Sequence, residues 1–458
     1  MREITLHDTR SGELTPLRPR EPGRVGIYAC GPTVYSRIHI GNARPFVVFT
    51  LLARFLEHEG YAVELVINVT DVNDKIYDAA GARGRPSAEL AAEMTAHYIA
   101  DTDALELGRP THEPLASETI GPIVDYIAAL VEQGHAYAVE GDVYFSVRSD
   151  GGYGSLSHRS LEHMDQGEDA AGAPSTLRKR DPLDFALWKA HKPGEDTVWD
   201  SPWGPGRPGW HIECSAMAEQ CLGTGFEIHG GGSDLVFPHH ENEAAQTRAA
   251  RGSELARIWM HNGMIQLTGE KMAKSAGNIA PLHEVLARWG AATVVMYLVS
   301  GHYRQPLAFS ENELRDAERR LARIREALRR LEPGPSPDDM AAHREAFFEA
   351  LAADFNTPAA LASLFEWVRE ANRRGSGVGE ADLREMLGVL GLGELAATEA
   401  VGDVSGIDPA AGTLLEQREQ ARAARDFQTA DRLRDQLRAM GWEIRDGPQG
   451  PELVAAAT

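Results

Sequence analysis

Residues 209–243 read GWHIECSAMAEQCLGTGFEIHGGGSDLVFPHHENE, and three residue types in that stretch suit a soft divalent metal. Cys214 offers a sulfur, while the run Pro238-His239-His240-Glu241-Asn242-Glu243 offers imidazole and carboxylate. Proline suits the first turn of a helix, so Pro238 is expected to open one, with His239 and Glu243 four residues apart on one face. A thiolate, an imidazole and a carboxylate fit Zn²⁺ but fall one ligand short of a tetrahedron. Cys30, far upstream, is the nearest candidate for the fourth. Taken singly, a cysteine is more often a small core residue than a ligand.

Two other stretches carry charge-handling chemistry. Cys30-Gly31-Pro32-Thr33-Val34-Tyr35 is followed by His39-Ile40-Gly41-Asn42. Much later comes Lys271-Met272-Ala273-Lys274-Ser275, flanked by Gly269 and Gly277. Two lysines in a glycine-flanked loop can clamp phosphates as the loop closes. A short lysine pair is otherwise ordinary solvated surface. The chain has no G-x-x-x-x-G-K-[ST], which excludes a P-loop nucleotidase. His229 with Gly230–Gly232 is like the oxyanion loop of lipases, but no G-x-S-x-G accompanies it, so that hydrolase reading fails.

The elements that must position these residues follow from periodicity. Residues 1–24 read as a short strand and turn, and 25–29 as a buried strand ending at Cys30. Residues 45–60 have helical spacing through Val48, Leu51, Leu52 and Phe55, with Gly60 as C-cap, and 63–69 read as a second strand. Strand, glycine-bearing loop, helix and strand make a βαβ unit and a parallel sheet, which binds ligands at the carboxyl ends of its strands. Residues 30–42 and the run Thr70–Lys75 (TDVNDK) belong there. Residues 87–104 and 122–133 are expected as helices, and 142–147 as a strand. Residues 149–180 lack periodicity and read as an insertion or mobile loop. From Leu314 the chain is mainly helical, with linkers expected at 332–337 and 397–411 and a short strand near 442–444.

At 458 residues, with 43% hydrophobic and 25% charged, the chain has the composition of a soluble protein of two to four domains. Its start, MREITLHDTR, has no apolar h-region, so no signal peptide is expected. Apolar runs such as 45–49 and 294–299 are too short to cross a membrane. Three cysteines (Cys30, Cys214, Cys221) make no disulfide framework and fit a reducing cytoplasm. Lys and Arg number 46 against 68 Asp and Glu, a net charge of −22 that argues against a general nucleic-acid coat but leaves room for a local basic face.

Read together, these motifs resemble one family over nearly the whole length, the cysteinyl-tRNA synthetases of class I. CGPTVY resembles the segment that opens its catalytic fold, and His39-Ile40-Gly41-Asn42 stands where class I enzymes carry HIGH. GWHIECSA, HGGGSD and PHHENE resemble its zinc and cysteine pocket, and KMAKS resembles KMSKS. The resemblance implies an α/β fold: a Rossmann-like parallel-sheet catalytic domain with an inserted connecting region, then a mainly α helical bundle and a small α+β C-terminal module. Expected boundaries are 1–118 and 201–267 for the catalytic halves, 119–200 for the insertion, 268–331 for the KMSKS loop and stem-contact region, 338–396 for the bundle and 412–458 for the anticodon-binding module.

By the same resemblance, Cys30, Cys214, His239 and Glu243 hold one zinc ion per chain. His39, Asn42, Lys271 and Lys274 are catalytic and, with Gly41, bind ATP and its Mg²⁺. Gly31, Thr70, Trp210, His229 and Asp234 bind the amino acid. Trp210 forms an aromatic wall, and Asp234 either receives the substrate ammonium or caps the turn after the glycines. Cys221 matches no ligand position and reads as core, and His240 as a second-layer or helix-surface residue. The arginines along 315–330 and 418–438 are expected near tRNA, although such charge lacing is often only helix support. Two positions depart from the family pattern. Asn42 replaces the second histidine of HIGH, and its amide can still donate a neutral hydrogen bond. Ala273 replaces the serine of KMSKS and leaves both lysines. The implied activity is a monomeric cytoplasmic ligase joining cysteine to tRNA-Cys at the expense of ATP. The alternatives are a cysteine ligase acting on glucosaminyl-inositol in mycothiol synthesis, or a catalytically weakened tRNA-binding relative.

Overall fold

The computed structural model describes residues 2–164, 178–267, 270–271, 280–393, 409–423, 426–447 and 450–455. Lys274 lies outside them, as do parts of the expected 149–180 loop and of the second linker. The backbone of Lys271 is described, in the short strand Glu270–Lys271.

Four parallel strands form the central sheet, in the order Ala256–Asn262, Phe226–Gly232, Arg24–Ala29 and Ala62–Ile67. Arg24–Ala29 lies inside the sheet, so its Val25, Ile27, Tyr28 and Ala29 are buried, as the apolar run 25–29 requires. Register sets Tyr28 beside both His229 and Val66, and Trp259 beside His229. Residues 1–24 give not one strand but an antiparallel pair, Thr5–Asp8 with Glu13–Pro16.

The helix after the first strand spans Ile40–His58, five residues earlier than its hydrophobic spacing begins. The reason is its cap. The His39 ring accepts the Gly41 N–H at 3.1 Å, and the Asn42 side-chain oxygen accepts the His39 N–H at 3.2 Å. Helix-start donors are thereby satisfied before Pro45, which sits inside the helix and has no N–H for the carbonyl four residues back. Phe46, Val47, Phe49, Leu51, Leu52, Phe55 and Leu56 are buried.

A second, antiparallel sheet is inserted between the parallel strands. It orders Ala136–Val139, Asp142–Phe145, Phe185–Ala190 and Gly206–Pro208, and its core packs with the helix Ile120–Glu132. Its last strand lies beyond residue 200, where the insertion was expected to end. The helices Glu311–Leu328, Ala341–Ala352, Thr357–Arg374 and Ala381–Val389 follow. Along the first of them Leu314, Leu321, Ile324 and Leu328 are buried. Its Arg315 and Arg319 pair with Glu311 and Asp316 on the same helix, and Arg329 and Arg330 just beyond it pair with Glu326. Much of the expected basic face is therefore charge lacing.

The chain divides into two compact units, residues 1–395 and 396–458. Within the second, helices Pro409–Ala423 and Phe427–Ala439 pack with a hairpin, Trp442–Gly447 and Gly450–Ala455, around Ala411 and Leu437. The first of these helices begins inside the stretch expected as a linker, and the second hairpin strand was not expected.

Candidate active site and metal centre

Cys30 follows the central strand, and Cys214 lies on the helix Trp210–Leu222 that covers the sheet. The turn Val236–His240 and the helix Glu241–Arg251 supply His239 and Glu243. Pro238 does not open that helix. Phe237 is extended, a π-type turn intervenes, and regular helix starts at Glu241. His239 and Glu243 meet nonetheless, with Nε2 and Oε1 3.1 Å apart.

The donor atoms of Cys30, Cys214, His239 and Glu243 all lie within 4.8 Å of one another, and all four residues are buried. A second quartet, Cys30, His229, His240 and Glu243, satisfies the same condition. Because both share Cys30 and Glu243, one ion can occupy either set but not both. Cys30 Sγ is 3.5 Å from Glu243 Oε1 and 3.3 Å from His240 Nε2. His229 Nε2 is 2.9 Å from Glu243 Oε2.

The electrostatics favour a bound cation. Among the described residues the ion-pair-range partners of Glu243 are three imidazoles, His229, His239 and His240. Burial, reinforced by neighbouring imidazoles, pushes His239 and His240 far below the usual histidine range, so they are neutral. Burial also drives the Cys30 thiol well up, helped by Cys214 and Glu243. A hydrogen bond with Cys30 draws Cys214 down, but burial and the carboxylates of Glu243 and Glu213 outweigh it. A buried carboxylate with no lysine or arginine partner among the described residues carries a desolvation cost of several kcal/mol, which a divalent cation offsets. The donor set fits such an ion.

Outer contacts fix the ligands' orientation. His211 Nδ1 lies 2.8 Å from His239 Nδ1, leaving His239 Nε2 to face Glu243. His240 Nδ1 is 2.7 Å from His261 Nε2, whose other nitrogen is 2.7 Å from Thr9 Oγ1. Burial and the neighbouring His229 and His7 hold His261 at about 3, so it stays neutral. Trp210 stacks on the His239 ring at 4.2 Å, and Trp259 on His229 at 4.5 Å.

Above this cluster is a cavity of about 280 Å³ lined by Cys30, Gly31, His39, Gly41, Asn42, Trp210 and Asp234, with Lys75 and Arg37 among the others. It gathers Cys30 and three of the five expected amino-acid-binding residues with the HIGH-like turn. Thr70 and His229 are fully buried and do not line it. Thr70 instead braces the loop, its backbone bonded to Val34 and Pro32 at 3.1 Å each.

Residues 16–319 match the model of the tRNA synthetases class I (C) catalytic domain. Residues 346–394 match a DALR domain, and 404–451 the cysteinyl-tRNA ligase anticodon binding domain. A cysteine–tRNA ligase of Pelotomaculum thermopropionicum is 45% identical, covering 98% of this chain and 99% of its own length. One from Alkalilimnicola ehrlichii is 46% identical, covering 98% of each chain. The chain belongs to the cysteinyl-tRNA ligase family. Two solved structures share the class I fold at low identity. The methionyl-tRNA synthetase of Mycobacterium tuberculosis has a TM-score of 0.58 at 17% identity, covering 82% of this chain and 90% of its own. A LeuRS of Agrobacterium radiobacter K84 has a TM-score of 0.61 at 13% identity, covering 86% of each.

Within this family member, residues that sequence reasoning passed over are His211 and His261. His240, expected in a second layer or on a helix surface, is fully buried with a ring nitrogen against Cys30. The signal available for His261 was positional: it lies at the carboxyl end of a parallel strand, where such sheets bind ligands. Cys221 is only half-buried and packs at the edge of the core cluster holding Cys30 and Cys214.

Gly31 carries a steric requirement that can be tested. Its N–H donates to Asn68 Oδ1 at 2.9 Å, and a Cβ there would lie 1.7 Å from the Asn68 carbonyl oxygen. Gly31→Ala must move one of two packed backbones. A loss of about 1–3 kcal/mol in stability is expected, together with impaired cysteine activation, read by thermal melting and by ATP–pyrophosphate exchange. An alanine variant with wild-type values in both would contradict the close approach.

Proposed function

We propose that the chain activates L-cysteine with ATP to cysteinyl-adenylate, releasing pyrophosphate. It then transfers the cysteinyl group to the 3′-terminal adenosine of tRNA-Cys. We further propose that Cys30, Cys214, His239 and Glu243 hold one zinc ion. Of the two quartets this one has two sulfurs, which suits zinc better than one. The observation that carries the reading is Cys30 itself, which belongs to the buried donor cluster and also lines the cavity beside the HIGH-like turn.

When bound, zinc would supply an electrophilic position that a thiolate fills far better than a hydroxyl, so serine loses a strong specific contact and is rejected without editing. The protein's own groups do the remaining work. Trp210 walls the side chain, Asp234 meets the ammonium, and Gly31 lets the backbone approach. Thr70 and His229 support that pocket from beneath. His39, Gly41 and Asn42 stand at a helix N-terminus, where backbone N–H groups and the dipole favour phosphate. With its side-chain oxygen on the His39 N–H, Asn42 keeps its amide N–H groups as donors. Lys271 and Lys274, with Mg²⁺, neutralise the pyrophosphate side. The same reading has the enzyme act as a cytoplasmic monomer; among the described residues no helix is long and apolar enough to cross a membrane.

The tRNA acceptor is favoured over a small inositol amine because the chain carries the anticodon-binding match at 404–451. The test is cysteine-dependent ATP–pyrophosphate exchange with zinc-loaded protein, followed by charging of tRNA-Cys against the inositol amine. Exchange and tRNA charging are expected. Zinc-loaded protein without exchange would overturn the ligase activity, and preference for the amine would overturn the acceptor.

A further inference from the structure

We propose that Lys75 is a substrate-contacting cation of this reaction, its ammonium at the mouth of the nucleotide cavity binding a phosphate of ATP or of the tRNA 3′ end. The proposal rests on the ligase reading. Lys75 lines the same cavity as Cys30, His39 and Asn42. Among the described residues the lysine and arginine side chains lining that cavity are Lys75 and Arg37, and Arg37 is committed to Asp101 by hydrogen bonds from two of its nitrogens.

Lys75 is not so committed. Its Nζ lies 5.8 Å from the centre of the Tyr35 ring, and it has no acidic partner among the described residues. The carboxylate next to it in sequence, Asp74, is turned away, held by Lys189 at 2.8 Å and by the buried Arg207. Lys75 is also the second residue of the helix Asp74–Arg83, whose cap Asn73 takes its backbone N–H at 3.1 Å. A lysine in the first turn opposes the helix dipole. Such a locally unfavourable placement is characteristic of functional positions. Lys75 presents its charge to whatever enters that cavity, and a phosphate satisfies it. In a chain of net charge −22, polyanionic substrates depend on such local cations.

The test compares Lys75→Met, which keeps the stem and removes the charge, with Lys75→Arg, which keeps the charge. ATP affinity is measured by calorimetry without cysteine, and single-turnover transfer is measured from preformed cysteinyl-adenylate to tRNA. Lys75→Met is expected to lose about 10- to 100-fold in one of these, the range for a hydrogen bond to a charged group, and Lys75→Arg to recover most of it. Loss of ATP affinity assigns the contact to the nucleotide's phosphates, and loss in transfer alone assigns it to a tRNA phosphodiester. Wild-type values for Lys75→Met in both would overturn the proposal. So would equal losses for Arg and Met, or a lowered melting temperature in Lys75→Met, which would mark a structural role. Calorimetry needs no turnover, so wild-type protein that binds ATP yet shows no cysteine-dependent exchange would sink the ligase reading and leave Lys75 separately judged.

Discussion

Cys214→Ser is expected to remove zinc and cysteine recognition together. The hydroxyl fits the volume of the thiol, and the site is buried in a helix that packs on the sheet, so the fold survives. What changes is the donor. Serine oxygen is a poor ligand for zinc beside one remaining thiolate, an imidazole and a carboxylate. Changes to outer contacts alone cost about 10–100-fold in metal affinity, so loss of a ligand should exceed about 100-fold. Bound zinc measured by atomic absorption should fall from one per chain toward none. The KM for cysteine should rise in parallel, and discrimination against serine should collapse. A buried hydroxyl without a partner adds about 1–3 kcal/mol of destabilisation, so a melting curve separates loss of metal from loss of fold. Normal zinc with normal rejection of serine would refute the ligand assignment.

Deleting residues 396–458 is expected to separate the two half-reactions. This segment is a compact unit with its own small core, and the site residues Cys30, Cys214, His239 and Glu243 all lie in the other unit. Adenylate formation, read by pyrophosphate exchange, should stay at the wild-type level. Charging should not. A second attachment to the same tRNA raises affinity by about 10²–10⁴ through effective concentration, and the truncated chain forfeits it. The result is read as a fall in kcat/KM for tRNA, carried mostly by KM. Unaltered charging would show that the module matched to anticodon binding does not contribute to acceptor recognition in this chain.

Asn42 shows how sequence and structure divide the explanation. From sequence it is a substitution in a HIGH-like motif, valued for its amide donors. In the structure its oxygen also closes the cap with the His39 N–H, which starts the helix ahead of Pro45. Spacing could not show this, because the hydrophobic period begins only after the proline. Pro238 teaches the complementary lesson. Proline's preference for a first helical turn is a local rule, and here the chain turns through Val236–His240 before regular helix begins. The expected pair still forms, because the His239 ring reaches Glu243 from the turn.

Sequence alone determined the parallel-sheet core, the helix that follows its first strand and the family, because these depend on period, residue type and motif order. Those signals are local, or additive along the chain. Only the tertiary structure decided that His229 and His240 crowd the same donors with His261 behind His240, that a second quartet shares Cys30 and Glu243, and that Arg37 is neutralised while Lys75 is not. Each of these depends on strand register and on which side chains share one small dry volume. His240 and His261 come to 2.7 Å because the turn after one parallel strand folds back over the carboxyl end of the next.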